Sequence, residues 1–161
     1  AYTNDQTTLD LIKAKDFRRG RAAAANTVPT STGAAKAIKL VLPELAGRLD
    51  GVSIRVPVID GSLVDLTVEL KKKAGSVEEI NKFFKTAAEG KLAGVLGYNE
   101  DPIVSSDVIG RTEGSIFDAT QTRIVEADGT QFVKVFSWYD NEYSYTSQFI
   151  RLAKALAAKI A

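Results

Sequence analysis

Three arginines, Arg18, Arg19 and Arg21, precede the run Pro29-Thr30-Ser31-Thr32-Gly33-Ala34-Ala35-Lys36, which opens a helix with hydroxyls and free backbone N–H groups. Guanidinium forks and helix-start amides are how a protein holds a phosphate-sized anion without a metal. A group to act on whatever binds there is missing. The sequence has no cysteine and no histidine, which removes a thiolate nucleophile, disulfides, thiolate metal sites and the commonest general base. Any metal would sit on oxygen ligands alone. Asp60-Gly61 does not begin a calcium loop, because the position for the bidentate glutamate falls on Lys71. No catalytic residue and no metal ligand are therefore assigned.

Each anion-binding candidate has a plainer reading beside it. The three arginines could be solvated ion pairs with Asp10 and Asp16. Thr32-Gly33 could serve only as a helix cap. Arg55 lies in Val52-Ser53-Ile54-Arg55-Val56-Pro57 among β-branched neighbours, where a charge needs a partner or a ligand. Trp138 ends an apolar strand and reads as core, whereas Asn141 just beyond it could hydrogen-bond a ligand amide. Glu78-Glu79 and Glu100-Asp101 are adjacent carboxylates, which point apart on a helix or strand and read as solvated. G-x-G-x-x-G, G-x-x-x-x-G-K-[ST] and G-x-S-x-G do not occur, so no local motif argues for a nucleotide or a serine nucleophile.

The elements that must position these residues follow from periodicity. At 161 residues the chain is expected to form one core. A net charge of +1 gives no reason to expect nucleic acid or an anionic membrane as partner. No apolar run approaches a membrane span and the first 25 residues carry no signal-like apolar core, so a soluble, cytoplasmic chain is expected. The absence of methionine, with Ala1 first, suggests a processed chain, a fragment or an engineered one. Residues 1–29 show little periodicity and read as a long ordered loop, a kind of segment that is usually functional. Ile38, Val41, Leu42 and Leu45 predict a helix from Gly33, with Thr32 as N-cap and Pro43 forcing a break. Val52–Val58 and Val64–Leu70 flank Asp60-Gly61 and read as paired strands. Ser76 and Glu79 form a capping box for a helix whose stripe is Val77, Ile80, Phe84 and Ala87, ending near Gly90. Strands are expected around Gly94–Tyr98, Ile103–Ile109, Ser115–Thr120, Thr122–Ala127 and Gln131–Trp138, the last two joined at Asp128-Gly129. A terminal helix carries Phe149, Leu152, Ala153, Leu156 and Ile160 on one face. Irregular alternation of helices and strands predicts an α+β fold, with a mixed, largely antiparallel sheet and helices on one face.

Tyr2-Thr3-Asn4-Asp5-Gln6, Asp16-Phe17-Arg18-Arg19-Gly20-Arg21-Ala22-Ala23-Ala24, the Pro29–Lys36 run, Arg55-Val56-Pro57 and Ser137-Trp138-Tyr139-Asp140-Asn141-Glu142 occur in that order. Together they resemble the catalytic half of phosphorylating glyceraldehyde-3-phosphate dehydrogenases, over essentially the whole chain. The resemblance implies that Thr3 and Arg55, supported by Asp5, hold the phosphate of a phosphorylated aldehyde, and that Arg19, Thr32 and Gly33 hold attacking inorganic phosphate. It implies NAD as coenzyme, its carboxamide fixed by Asn141 with Tyr145 nearby, and a cytoplasmic homotetramer. Residues 1–145 would form the substrate domain, with 1–25 as an S-shaped loop reaching a neighbouring subunit. Residues 146–161 would be a helix packed on a coenzyme domain. In that family a cysteine thiolate attacks the aldehyde and a histidine assists, both upstream of the Tyr-Thr-Asn-Asp-Gln motif, so this chain alone is expected to be inactive. Ser144 stands where the family often has glycine. Erythrose-4-phosphate dehydrogenase and a non-enzymatic interaction module made from the same domain are the alternatives.

Overall fold

A computed structural model describes residues 1–13 and 15–160. Ala14, in the expected leading loop, and Ala161, at the end of the expected terminal helix, lie outside the described residues. Two compact units result, Ala1–Ile59 and Asp60–Ala161, where the length suggested one core.

The first unit is built on a short antiparallel pair, β1 (Val28–Thr30) and β2 (Ser53–Arg55), with Val28 opposite Arg55 and Thr30 opposite Ser53. The leading segment forms no regular strand before β1, and backbone bonds tie it down. Tyr2 donates to the Val58 carbonyl at 3.0 Å, Ala23 to Thr7 at 3.0 Å and Leu11 to Gly20 at 2.8 Å. Helix α1 spans Ala34–Val41, with Gly33 rather than Thr32 at the N-cap position. The Thr32 hydroxyl still serves the helix start, accepting from the Ala34 amide at 3.1 Å. The break expected at Pro43 occurs, because its ring disfavours helical backbone at Leu42, where φ is −129° and ψ 75°.

In the second unit a four-stranded sheet runs in the order β3 (Ser62–Glu69), β6 (Thr130–Tyr139), β5 (Ser115–Ala127), β4 (Leu96–Asn99). β3–β6 and β6–β5 are antiparallel and β4–β5 is parallel, giving the expected α+β class with a mixed sheet. Helix α2 (Val77–Glu89) lies against β4 and β5. The Ser76 hydroxyl accepts from the Glu79 amide at 3.2 Å, and the Glu79 carboxylate reaches back to the Gly75 amide at 2.7 Å, one residue before the amide a capping box would engage. Alternation along the strands puts Leu66 and Val68 of β3 with Val133 and Val135 of β6 in the core, beneath Ile80 and Phe84 of α2. Phe117, 2% exposed, is the centre of that core: it stacks on Phe84 with ring centroids 4.0 Å apart and neighbours Tyr98 at 5.8 Å. Helix α3 spans Tyr143–Ile160.

Three sequence expectations are corrected. Strands on either side of Asp60-Gly61 do not pair with each other; β2 pairs with β1 and β3 with β6. Gly61 makes a corner instead, with φ +87° and its Cα face against the Ser105 carbonyl, where a Cβ would come within 2.2 Å of the oxygen. Ile103–Ile109 forms no strand but a 3-10 turn at Ser105–Val108. There the Asp107 carboxylate accepts from the Val104 amide at 2.7 Å, the local bonding by which Ser and Asp compete with a sheet ladder. Ser115–Thr120 and Thr122–Ala127 are one strand interrupted by a bulge between Asp118 and Arg123. Asp118, 2% exposed, causes the interruption by accepting from the Thr120 amide and hydroxyl and, on its other oxygen, from Trp138 Nε1 at 2.9 Å. The Asp128-Gly129 hairpin forms as expected, with φ of 49° and 78°, both in the left-handed region a two-residue turn requires.

Asp140 links β6 to α3. It is 1% exposed, and its carboxylate accepts from the amides of Gly110 at 2.7 Å, Glu142 at 2.8 Å and Tyr143 at 2.7 Å. Burial alone would raise this carboxyl; the three amides, with Asp60 beside it, hold it below the usual aspartate value instead.

Two predictions follow from these contacts. Gly129→Ala adds only the left-handed strain of a non-glycine residue, about 1 kcal/mol, whereas Gly61→Ala adds a backbone collision as well, for a total of roughly 2–4 kcal/mol. Urea midpoints of the two variants measure the difference, and equal midpoints contradict the packing at Gly61. Asp140 is ionised in the fold with a depressed pKa, so its stabilisation is full above the unfolded value of 3.8 and declines as pH falls below it. Asp140→Asn should lower stability at neutral pH by roughly 2–4 kcal/mol and flatten the acid limb of the stability curve. Urea unfolding between about pH 6 and pH 2 checks both expectations.

Candidate functional site

Four of the six phosphate candidates are joined by hydrogen bonds in the first unit. Thr3 and Asp5 come from the leading segment, Arg19 from the turn after it and Arg55 from the end of β2. Asp5 is the junction. Its Oδ1 accepts from Arg55 Nη1 at 2.5 Å and from the Thr3 hydroxyl at 2.6 Å, and its Oδ2 accepts from Arg19 Nη1 at 2.7 Å. The Thr3 oxygen also accepts from Arg55 Nη1 at 2.9 Å. Burial works to raise the Asp5 carboxyl, but the bonds from Arg55 and Thr3 and the charges of Arg55 and Arg19 outweigh it and hold it down at about 2. Asp5 is thus an anion throughout the neutral range.

Arg19 is oriented from a second side. Its Nε donates to the Thr30 hydroxyl at 3.0 Å and lies 3.1 Å from the Asp16 carboxylate, whose other oxygen accepts from the Arg19 backbone amide. Arg21 instead pairs with Asp10 at 3.1 Å, both well exposed. The ion pairs expected of the arginine cluster form, Arg21 with Asp10 and Arg19 with Asp16, and Arg19 is held by Asp5 as well. Arg19 Nη2 and Arg55 Nε and Nη2 carry no hydrogen bond among the described residues, so each guanidinium keeps donors in hand. Thr32 and Gly33 are not tied to the Asp5 cluster by a hydrogen bond among the described residues, and the Thr32 hydroxyl accepts from the Ala34 amide instead.

Gln6 and Thr30 belong to this cluster as well, though sequence reasoning assigned neither a role. Gln6 is 8% exposed; its Oε1 accepts from Arg55 Nη1 at 3.2 Å, and its Nε2 has no hydrogen-bond partner among the described residues. Turning the amide round would set its NH2 against the Arg55 donor, so the orientation is fixed. The signal available in the sequence was only the polar run Thr3-Asn4-Asp5-Gln6, which does not say which member turns inward.

The coenzyme candidates lie in the second unit. Asn141 follows β6 directly; its Oδ1 accepts from the Ser62 hydroxyl at 2.9 Å, while Nδ2 makes one long contact, 3.4 Å, to Glu142. Tyr145 is 71% exposed on α3. A hollow of about 370 Å³ at the start of α3 is lined by Ile109, Gly110, Tyr143 and Thr146 together with the acids Asp60, Asp140 and Glu142. Burial raises the Asp60 carboxyl, and the Asp140 and Glu142 charges add to it against the opposing Gly61 amide. Such a hollow repels phosphate, and the guanidiniums of the first unit are the better anion donors. Among the described residues there is no His, Cys, Asp or Glu cluster fit to hold a metal ion, and no helix is long and apolar enough to cross a membrane.

Residues 1–141 match the family described as glyceraldehyde 3-phosphate dehydrogenase, C-terminal domain. The chain is 57% identical over 158 residues to a glyceraldehyde-3-phosphate dehydrogenase of Streptococcus pyogenes, covering 98% of this chain and 46% of the relative. It is 55% identical over 157 residues to that of Borreliella burgdorferi, covering 97% of this chain and 46% of the relative. It is likewise 55% identical over 159 residues to glyceraldehyde-3-phosphate dehydrogenase 1 of Bacillus cereus, covering 99% and 46%. The chain thus spans about half the length of the curated relatives it matches. The family match over residues 1–141, with relatives 55–57% identical along almost the whole chain, settles the membership: this chain belongs to the glyceraldehyde-3-phosphate dehydrogenases, as their C-terminal domain.

Proposed function

We propose that this chain is the phosphate-holding half of a glycolytic glyceraldehyde-3-phosphate dehydrogenase, which oxidises and phosphorylates glyceraldehyde 3-phosphate with NAD. The observation that carries this reading is the convergence of Arg19 and Arg55 on Asp5 beside Thr3, with guanidinium donors unspent on both arginines. In this reading Thr3 and Arg55 hold the phosphate of the aldehyde, and Asp5 and Gln6 fix the Arg55 fork. Arg19, with Thr32 and the amides at the start of α1, receives inorganic phosphate. Asp5 and Asp16 offset part of the arginine charge, so binding by these residues alone is weak.

NAD, when bound, supplies the hydride acceptor. Asn141 suits its carboxamide: Ser62 occupies the Asn141 oxygen, and Nδ2 remains as a donor for an amide carbonyl. Residues 1–145 act as the substrate domain, with 1–25 as an S-shaped loop directed at a neighbouring subunit of a cytoplasmic homotetramer. The segment 146–161 docks on a coenzyme domain. The exposure of Phe149 (62%), Leu152 (66%) and Leu156 (57%) supports that last assignment, since such a face needs cover.

These 161 residues hold neither thiol nor imidazole. A polypeptide of this sequence should therefore form no NADH from NAD, glyceraldehyde 3-phosphate and phosphate; absorbance at the NADH band above an enzyme-free blank would contradict the assignment of roles. Arg19→Ala should weaken inorganic phosphate binding about tenfold to a hundredfold, the worth of one charged hydrogen bond. The exposed Arg18, replaced by Ala, should change it little. Amide NMR titration with phosphate compares the variants, and equal losses would show that the arginines act only as diffuse charge.

A further inference from the structure

Asp5 is an odd resident for an anion site. A carboxylate between two guanidiniums cancels attraction that the arginines would otherwise offer, so its presence calls for a reason. Counting its acceptor positions supplies one. An ionised carboxylate has about four lone-pair positions. Three are taken: Oδ1 by Arg55 and Thr3, Oδ2 by Arg19. One position on Oδ2 is left, and the Asp5 side chain is 42% exposed, so solvent and solutes reach it. The unspent donors Arg19 Nη2 and Arg55 Nη2 belong to the same two guanidiniums that grip Asp5, so an oxyanion held by either one has that carboxylate as a neighbour.

Resting on the anion-binding reading above, we infer that Asp5 makes the site selective for an oxyanion that still carries a proton, such as hydrogen phosphate, over a fully ionised one of the same size, such as sulfate. A P–OH group donates to the open lone pair of Oδ2. Sulfate has no hydrogen at neutral pH and sets oxygen against oxygen, two like charges in contact. Taking up a proton is a costly escape for the carboxylate, because Arg55, Thr3 and Arg19 favour its ionised form. Gln6 and Thr30 keep the two arginines in place for either anion, so they contribute affinity and not the preference.

The test titrates the chain with inorganic phosphate and with sulfate at equal ionic strength, near neutral pH, following amide shifts around Arg19 and Arg55. Phosphate should bind on the order of tenfold more tightly or better, the worth of one charge-assisted hydrogen bond. Asp5→Asn should bring the two anions to within about threefold, mainly because sulfate gains, since the Asn side chain can donate. A merely structural role for Asp5 would weaken both anions together and leave their ratio unchanged. A second measurement needs no variant. Methyl phosphate loses its last ionisable proton between about pH 5.5 and pH 8, a range in which a chain without histidine or cysteine has no ordinary titrating side chain. It should bind more tightly at the lower pH, although it then carries less charge. Equal affinities for phosphate and sulfate in the unchanged chain, an Asn variant that keeps the preference, or methyl phosphate that binds better at high pH would each overturn the selectivity while leaving an anion site in place. Binding of neither anion overturns the selectivity and the anion site together.

Discussion

A carboxylate gathers donors around it, and three aspartates, Asp118 and Asp140 buried and Asp5 partly open to solvent, arrange their surroundings on those terms. Asp5 draws Thr3, Arg19 and Arg55 together across as many as 50 residues of chain. Asp118 bends β5 into a bulge and anchors the indole of Trp138 on the next strand. Asp140 gathers three amides from two separate segments and so fixes where α3 begins. The effect is one of geometry more than net stability, since the desolvation cost of each charge offsets much of what its bonds return. Removing any one of them leaves its donors unanswered in a fixed frame, which is the more expensive condition.

Candidate binding residues sit next to these carboxylates for the same reason. Arg55 is 18% exposed at its side chain and could not be so enclosed at the end of β2 without Asp5, Thr3 and Gln6 as acceptors. Asn141 is held immediately after Asp140, so the capped turn that starts α3 also sets the level of the amide. The aromatic core plays a different part. Phe117, Phe84 and Tyr98 stack on one another and hold α2 on the sheet.

Where local chemistry decides the outcome, the sequence was readable. Helix α2 has its cap, its stripe and its glycine in the right order, and Asp128-Gly129 can form one kind of turn. Where the outcome depends on a distant partner it was not. Nothing in Val52–Val58 says that β2 joins Val28–Thr30 rather than the next strand, and Gly61 is a corner only because Ser105 lies against it. Ile103–Ile109 is apolar enough for a strand, yet the Asp107 side chain bonds to the local backbone first. For the site, ordered motifs located Thr3, Asp5, Arg19 and Arg55, while the bonds among them, and the inward turn of Gln6, came only with three dimensions.

Helix α3 is fastened along its first half. Asp140 holds its start, Gln148 donates to the Thr112 carbonyl at 2.7 Å and Arg151 to the Gly94 carbonyl at 2.5 Å. Beyond Arg151 the run Leu-Ala-Lys-Ala-Leu-Ala-Ala-Lys-Ile is exposed on every side, a cantilever about 14 Å long. Its residues are nearly all among the strongest intrinsic helix formers, so its winding rests on backbone preference rather than on neighbours. Nine residues are too few to sustain a helix alone, so the overhang borrows its nucleus from the fastened half. Warming should unwind it residue by residue from Ile160 inward, well before the sheet melts, which makes this overhang a gradual thermometer attached to a cooperative domain.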